Sequence, residues 1–138
     1  MKLSQASLLL VLSAAGCAAP PPPPPPPKPI ITPVMVDGLY RGTSTRYQAD
    51  SRSCPSPGLV TLRVTSGRFT YRWNARTQVP ASVQPDGSVQ GELGEVTLTG
   101  QVTPPQPGTD GAPDSPQRIV GDVTNGLCGI HYTVTRRG

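Results

Sequence analysis

Histidine occurs once in the 138 residues, at His131. With no second histidine, no group of neighbouring carboxylates and no free pair of cysteines, the side chains for a metal site or for a Cys/His or Ser/His nucleophile are missing. No glycine-rich phosphate loop stands in a strand-to-helix setting. The acids fall mostly at turns (Asp86, Glu95) or in a proline-rich stretch (Asp110, Asp114), where turn chemistry accounts for them. The expectation is a protein that is not an enzyme and takes no cofactor.

Lysine is absent after Lys28, and no later stretch longer than twelve residues is free of glycine and proline, while apolar residues recur at two and not at the helical period. The formal charge of +4 falls to +2 from residue 34 onward, where ten arginines stand against eight acids. Bulk charge therefore gives no argument for nucleic acid as a partner. A long hydrophobic run is also missing: the apolar stretch from Leu8 to Leu12 is too short to cross a bilayer as a helix.

That stretch lies within residues 1–17, MKLSQASLLLVLSAAGC, where a lysine, an apolar run and small residues ending in a cysteine follow in the order of a secretory signal. Ala14, Ala15, Gly16 and Cys17 resemble the lipobox of bacterial lipoproteins. The resemblance, which covers residues 1–19, implies cleavage before Cys17 and acylation of its sulfur, giving a membrane-anchored mature N-terminus. An aspartate after the cysteine is the usual inner-membrane retention signal of that class. Ala18 in its place implies the outer membrane, with the remaining chain facing the periplasm. Cleavage by the ordinary signal peptidase after Ala15 or Ala19 is the alternative, and it explains the cysteine count less well.

Three cysteines are an odd number for an exported chain. Lipidation of Cys17 removes the oddness and leaves Cys54 and Cys128 to pair in an oxidising compartment. After Cys17 come the eight consecutive prolines Pro20 to Pro27, then Lys28 and Pro29. Such a run is a polyproline II rod of about 3.1 Å per residue, roughly 30 Å in all, and reads as a spacer. The expected organisation is a signal peptide over 1–16, a lipidated N-terminus and proline-rich linker over 17–33, and one domain over 34–138.

Within that domain apolar residues recur at every second position, and turns separate the runs at short intervals. Residues 59–65 and 68–73 flank Ser66-Gly67, a register that sets Val64 opposite Phe69, Leu62 opposite Tyr71 and Val60 opposite Trp73. Residues 78–84 and 88–93 flank Pro85-Asp86-Gly87, which sets Val83 opposite Val89 and Val79 opposite Leu93. Gly94-Glu95 pairs Leu93 with Val96 and continues an inner row of Val96, Leu98, Gly100 and Val102. Asn125-Gly126 sets Val123 opposite Cys128, Gly121 opposite Ile130 and Ile119 opposite Tyr132, with His131 outward opposite Val120.

Adding 39–47 makes eight antiparallel strands in meander order. The predicted fold is all-β, an up-and-down barrel, with a two-sheet sandwich as the alternative. Residues 103–117, rich in proline and glycine, are expected to form a mobile surface loop.

Charge is segregated: residues 41–76 hold seven arginines and only Asp50, whereas residues 82–122 hold six acids and only Arg118. Arg63, Arg68 and Arg72 point outward from one hairpin among Thr61, Thr65 and Thr70. They form the candidate binding surface for an anionic partner, the plainer reading being a solvated strand face. Tyr40, Tyr71, Trp73 and Tyr132 point inward and serve either as core or as the lining of a ligand cavity. The functional expectation is a protein-binding module, for instance an inhibitor of an envelope hydrolase, with an envelope protein or anionic glycan as partner. A small-ligand-binding barrel and a structural envelope protein contacting the cell wall are the alternatives.

Overall fold

The structure is a computed structural model that describes residues 16, 18–28, 30 and 33–138, so Cys17 and residues 1–15 of the expected signal lie outside it. A short 3-10 turn, Pro33–Val36, leads into eight strands: β1 (Gly38–Ala49), β2 (Leu59–Val64), β3 (Arg68–Arg72), β4 (Gln78–Val83), β5 (Ser88–Leu93), β6 (Val96–Thr103), β7 (Arg118–Thr124) and β8 (Cys128–Arg137). They form a single antiparallel sheet in the order β2-β1-β8-β7-β6-β5-β4-β3. The first strand pairs with the last, so the meander curls into a nearly closed barrel rather than splitting into two sheets.

The alternation seen in the sequence decides which side chains enter the core, because successive side chains of a strand point to opposite faces. Leu62 and Val64 of β2, Phe69 and Tyr71 of β3, Val79, Ala81 and Val83 of β4, and Val89 of β5 are buried. Leu98 and Val102 of β6, Ile119 and Val123 of β7, and Ile130, Tyr132 and Val134 of β8 complete one continuous cluster. Val60 packs against its margin. Among the described residues no α-helix is present.

Three pairings differ from expectation, each for a local reason. In the last hairpin Thr124 pairs with Gly129, so Val123 faces Ile130, Gly121 faces Tyr132 and Ile119 faces Val134. The register has slipped by two residues because the Asn125 side chain accepts the amides of Leu127 (3.1 Å) and Cys128 (2.8 Å), so that Asn125 and Cys128 close the turn around Gly126 and Leu127. A two-residue slip keeps every side chain on its own face. It also brings His131 opposite Asp122 instead of Val120, with Nδ1 and the carboxylate 2.9 Å apart.

In the second hairpin Val83 does face Val89, but the ladder stops at Ala81 and Gly91, so Val79 and Leu93 never pair. Pro80 is the next residue whose backbone is directed at β5, and it has no amide hydrogen to give. Leu93 is left 44% exposed at the end of its strand. The third difference, between β2 and β3, creates the site described below.

The two ends of the barrel are built differently. At the end where the linker enters, Asp37 accepts the amides of Ser66 (2.8 Å) and Gly67 (2.9 Å), pinning the tip of the β2–β3 turn. Both turn residues have positive φ, 51° and 69°, the type I′ form that suits a two-residue hairpin. Beside it the Tyr40 hydroxyl donates within the buried cluster, with the Val36 carbonyl and Gln117 Oε1 each 2.8 Å away. Gln117 thereby anchors one end of the 103–117 connection, whose residues 105–116 are exposed but tied to one another by a Gln106–Ser115 bridge. At the opposite end Cys54 and Cys128 are disulfide-bonded, their Cα atoms 5.3 Å apart, joining the 50–58 connection to the start of β8.

Candidate functional site

The barrel has one seam. Strands β2 and β3 are joined by their turn and by a single bridge, Thr65 to Arg68, whose two backbone hydrogen bonds measure 2.9 and 3.0 Å. Beyond that bridge no ladder connects them, and both are terminal strands in the sheet order. The expected pairs Leu62–Tyr71 and Val60–Trp73 therefore do not form, although all four side chains still point inward.

Strand geometry shows what the seam exposes. Thr65 turns its amide and carbonyl toward β3, so in β2 the alternate residues Arg63, Thr61 and Leu59 aim theirs the same way, while Val64, Leu62 and Val60 bond to β1. In β3 the residues sharing the parity of Arg68, namely Thr70 and Arg72, aim at the seam, while Phe69 and Tyr71 bond to β4. Five residues thus direct backbone groups into a gap that holds no strand to receive them. Such unpaired edges are the feature most β proteins cover or blunt.

The gap widens away from the Ser66-Gly67 turn into a cleft of about 300 Å³ at the disulfide end. Its inner wall is Leu62, Tyr71, Trp73 and Ile130, and its mouth carries Ser44, Ser56 and Arg72. Leu59 stands at the rim, 93% exposed. Burial raises the Tyr71 phenol above its ordinary value, opposed in part by the Ser44 hydroxyl, so the ring is a neutral wall. The Tyr71 ring packs in turn against the buried Tyr132, their centroids 5.2 Å apart.

The outer lips of the seam carry the arginines. Arg63 of β2 and Arg68 of β3 share one shallow groove with Thr61, Thr65, Thr70 and Pro80, and Arg72 lies at the cleft mouth. All three are exposed. The basic surface extends further than the sequence suggested, because β1 lies beside β2 and β8 beside β1. One cross-strand row reads Thr61, Arg41, Thr135, Arg118 and another Arg63, Leu39, Arg137. Among the described residues the only acid–base contact at salt-bridge distance is His131 with Asp122, so none of these arginines has a carboxylate partner.

The structure thus brings Arg63, Arg68 and Arg72 together around an opening, joins Cys54 to Cys128, and leaves Cys17 outside the described residues. Of the inward aromatics, Tyr71 and Trp73 line the cleft, whereas Tyr40 and Tyr132 are wholly buried. The open edges of β2 and β3 and the contribution of Arg41, Arg118 and Arg137 escape a hairpin-by-hairpin reading, since both depend on how the whole sheet curls. Comparison with known proteins finds no family model, no curated protein and no solved structure that matches the chain.

Proposed function

We propose that the chain is a lipid-anchored protein of the bacterial envelope, its barrel facing the periplasm and binding another protein through the arginine-lined face around the seam. Inhibition of an envelope hydrolase is one form this takes. The observation that carries the reading is the cluster of exposed arginines, Arg63, Arg68 and Arg72 with Arg41 alongside, none of which has a carboxylate at salt-bridge distance among the described residues. Uncompensated guanidinium groups on rigid strands recognise carboxylates with two well-aligned hydrogen bonds and steer an acidic surface into place. The core supports the same choice: Tyr40, Tyr132, Leu62, Leu98 and Ile119 are fully buried and pack the interior as a core.

Export is supported by the Cys54–Cys128 bridge, which belongs in an oxidising compartment and leaves Cys17 as the remaining thiol for acylation. The linker enters at the end opposite the cleft, so an anchor at Cys17 turns the cleft away from the membrane. The test has two arms. Radiolabelled palmitate should enter the full chain and be lost in Cys17→Ser, together with membrane association. Cross-linking in intact cells should trap an acidic envelope protein on the wild-type chain, and reversing Arg63, Arg68 and Arg72 to glutamate should abolish the adduct. An adduct that survives reversal and is insensitive to salt contradicts the reading.

A further inference from the structure

We propose that the seam between β2 and β3 is a strand-docking site. An extended segment of the partner adds along the open edge of β2, its apolar side chains turned into the cleft and its acidic side chains turned out toward the arginines. This rests on the protein-binding reading and names the kind of segment bound.

Three observations converge on that occupant. First, Leu59, Thr61 and Arg63 aim their amides and carbonyls at the gap, the pattern an added strand requires to build a ladder. Second, the inner side of the gap is an apolar cleft of about 300 Å³ walled by Leu62, Tyr71, Trp73 and Ile130, room for an aromatic or large aliphatic side chain from alternate positions of the segment. Third, the outer side carries Arg63, Arg68 and Arg72 without carboxylate partners, which selects acidic residues at the intervening positions. Paired residues in neighbouring strands share a face. The residues of the segment that bond to Thr61 and Arg63 are therefore its outward, acidic ones. The recognised pattern is acidic, apolar, acidic, apolar. The segment lies antiparallel to β2, the direction in which directly paired residues exchange both backbone hydrogen bonds, and its apolar side chains occupy the wide disulfide end of the gap.

Trp73 is the only tryptophan of the chain and lines the cleft, so its fluorescence reports the event directly. The probe is a capped synthetic peptide of alternating glutamate and valine with a central phenylalanine, titrated into the full-length chain in detergent. The Trp73 emission should shift in a saturable way. Two perturbations then address the backbone alone. N-methylation of the peptide's glutamates removes the donors that face β2. Thr61→Pro removes a donor directed at the gap while sparing every amide that bonds β2 to β1. Each should weaken binding about tenfold or more, the result of leaving a buried acceptor unpaired.

No saturable shift with the parent peptide overturns the inference. So does equal binding of the parent and N-methylated peptides, which needs no variant and decides the matter even if Thr61→Pro does not fold. If backbone perturbations leave binding intact while reversal of Arg63, Arg68 and Arg72 removes both the peptide and the cellular adduct, strand addition is wrong and protein binding stands. If reversal leaves the cellular adduct intact, the underlying reading fails too.

Discussion

Replacing Tyr132 with phenylalanine should make the protein more stable. The side chain is fully buried, and its hydroxyl has no hydrogen-bond partner among the described residues. It sits over the paired glycines Gly121 and Gly100, and a Cβ on Gly121 would approach the oxygen to 2.6 Å. The glycines thus make room for the phenol without giving it an acceptor. Burial raises its pKa, helped by Tyr71 and Asp122, as expected of a polar group held in an apolar surrounding. An unsatisfied buried donor costs about 1–3 kcal/mol. Deleting the oxygen leaves a void of roughly 15 Å³, worth about 0.4 kcal/mol against the variant. The net gain is about 1–2 kcal/mol, which for a domain near 100 residues raises Tm by roughly 5–10 °C. Thermal melts by near-ultraviolet circular dichroism, with the disulfide intact, measure it. A lower Tm for Tyr132→Phe would refute the reasoning, because it would mean that the hydroxyl is satisfied inside the barrel.

Removing the bridge with Cys54→Ser and Cys128→Ser frees a loop spanning 74 positions and should lower stability by about 4 kcal/mol in the chain-entropy account, seen as a lower urea midpoint. A loss under about 1 kcal/mol would show that the bridge does not restrain the unfolded chain. Alkali should unfold the domain through its buried phenols. Burial raises Tyr40, Tyr71 and Tyr132 above the ordinary value of 10.0, so the folded chain keeps protons that the unfolded chain releases. Their contribution is complete below pH 10 and is lost as pH rises through the raised values, and a Tm that stays flat from pH 9 to 12 would contradict it. Gly121→Ala should be strongly destabilising, since the new methyl meets the Thr99 carbonyl and the Tyr132 ring together; wild-type melting would show that the strands have room to part.

How much of this was legible in the sequence depends on the range of the interaction. The period-two pattern identified eight strands and their inner faces, because burial of alternate side chains is written residue by residue. Val60, Phe69, Val89 and Ile130 all turn toward the core, although Val60 only in part. Register was legible where the turn alone decides it, as at Leu93 and Val96. It slipped where a side chain, Asn125, reshaped the turn, and it ended early where Pro80 lacked a donor. The arginines of one hairpin were visible as an outward row. Their lack of acidic partners was not, because the acids lie on later strands whose distance is set by the curl of the sheet. The seam is the furthest from sequence: a sound turn at Ser66-Gly67 and matching alternation on both arms predict a ladder, whereas barrel closure through β1 and β8 leaves these two strands as the free edges.

The open seam is the claim on which the site, the function and the docking proposal all stand, and residue-resolved amide hydrogen exchange tests it most directly. In the free protein the amides of Thr61, Arg63, Thr70 and Arg72 should exchange far faster than those of their immediate neighbours Leu62, Val64, Phe69 and Tyr71, giving an alternating profile along both strands. Uniform protection along 59–65 and 68–72 would mean that the two strands zip together in solution, and the cleft with its exposed edges would not exist.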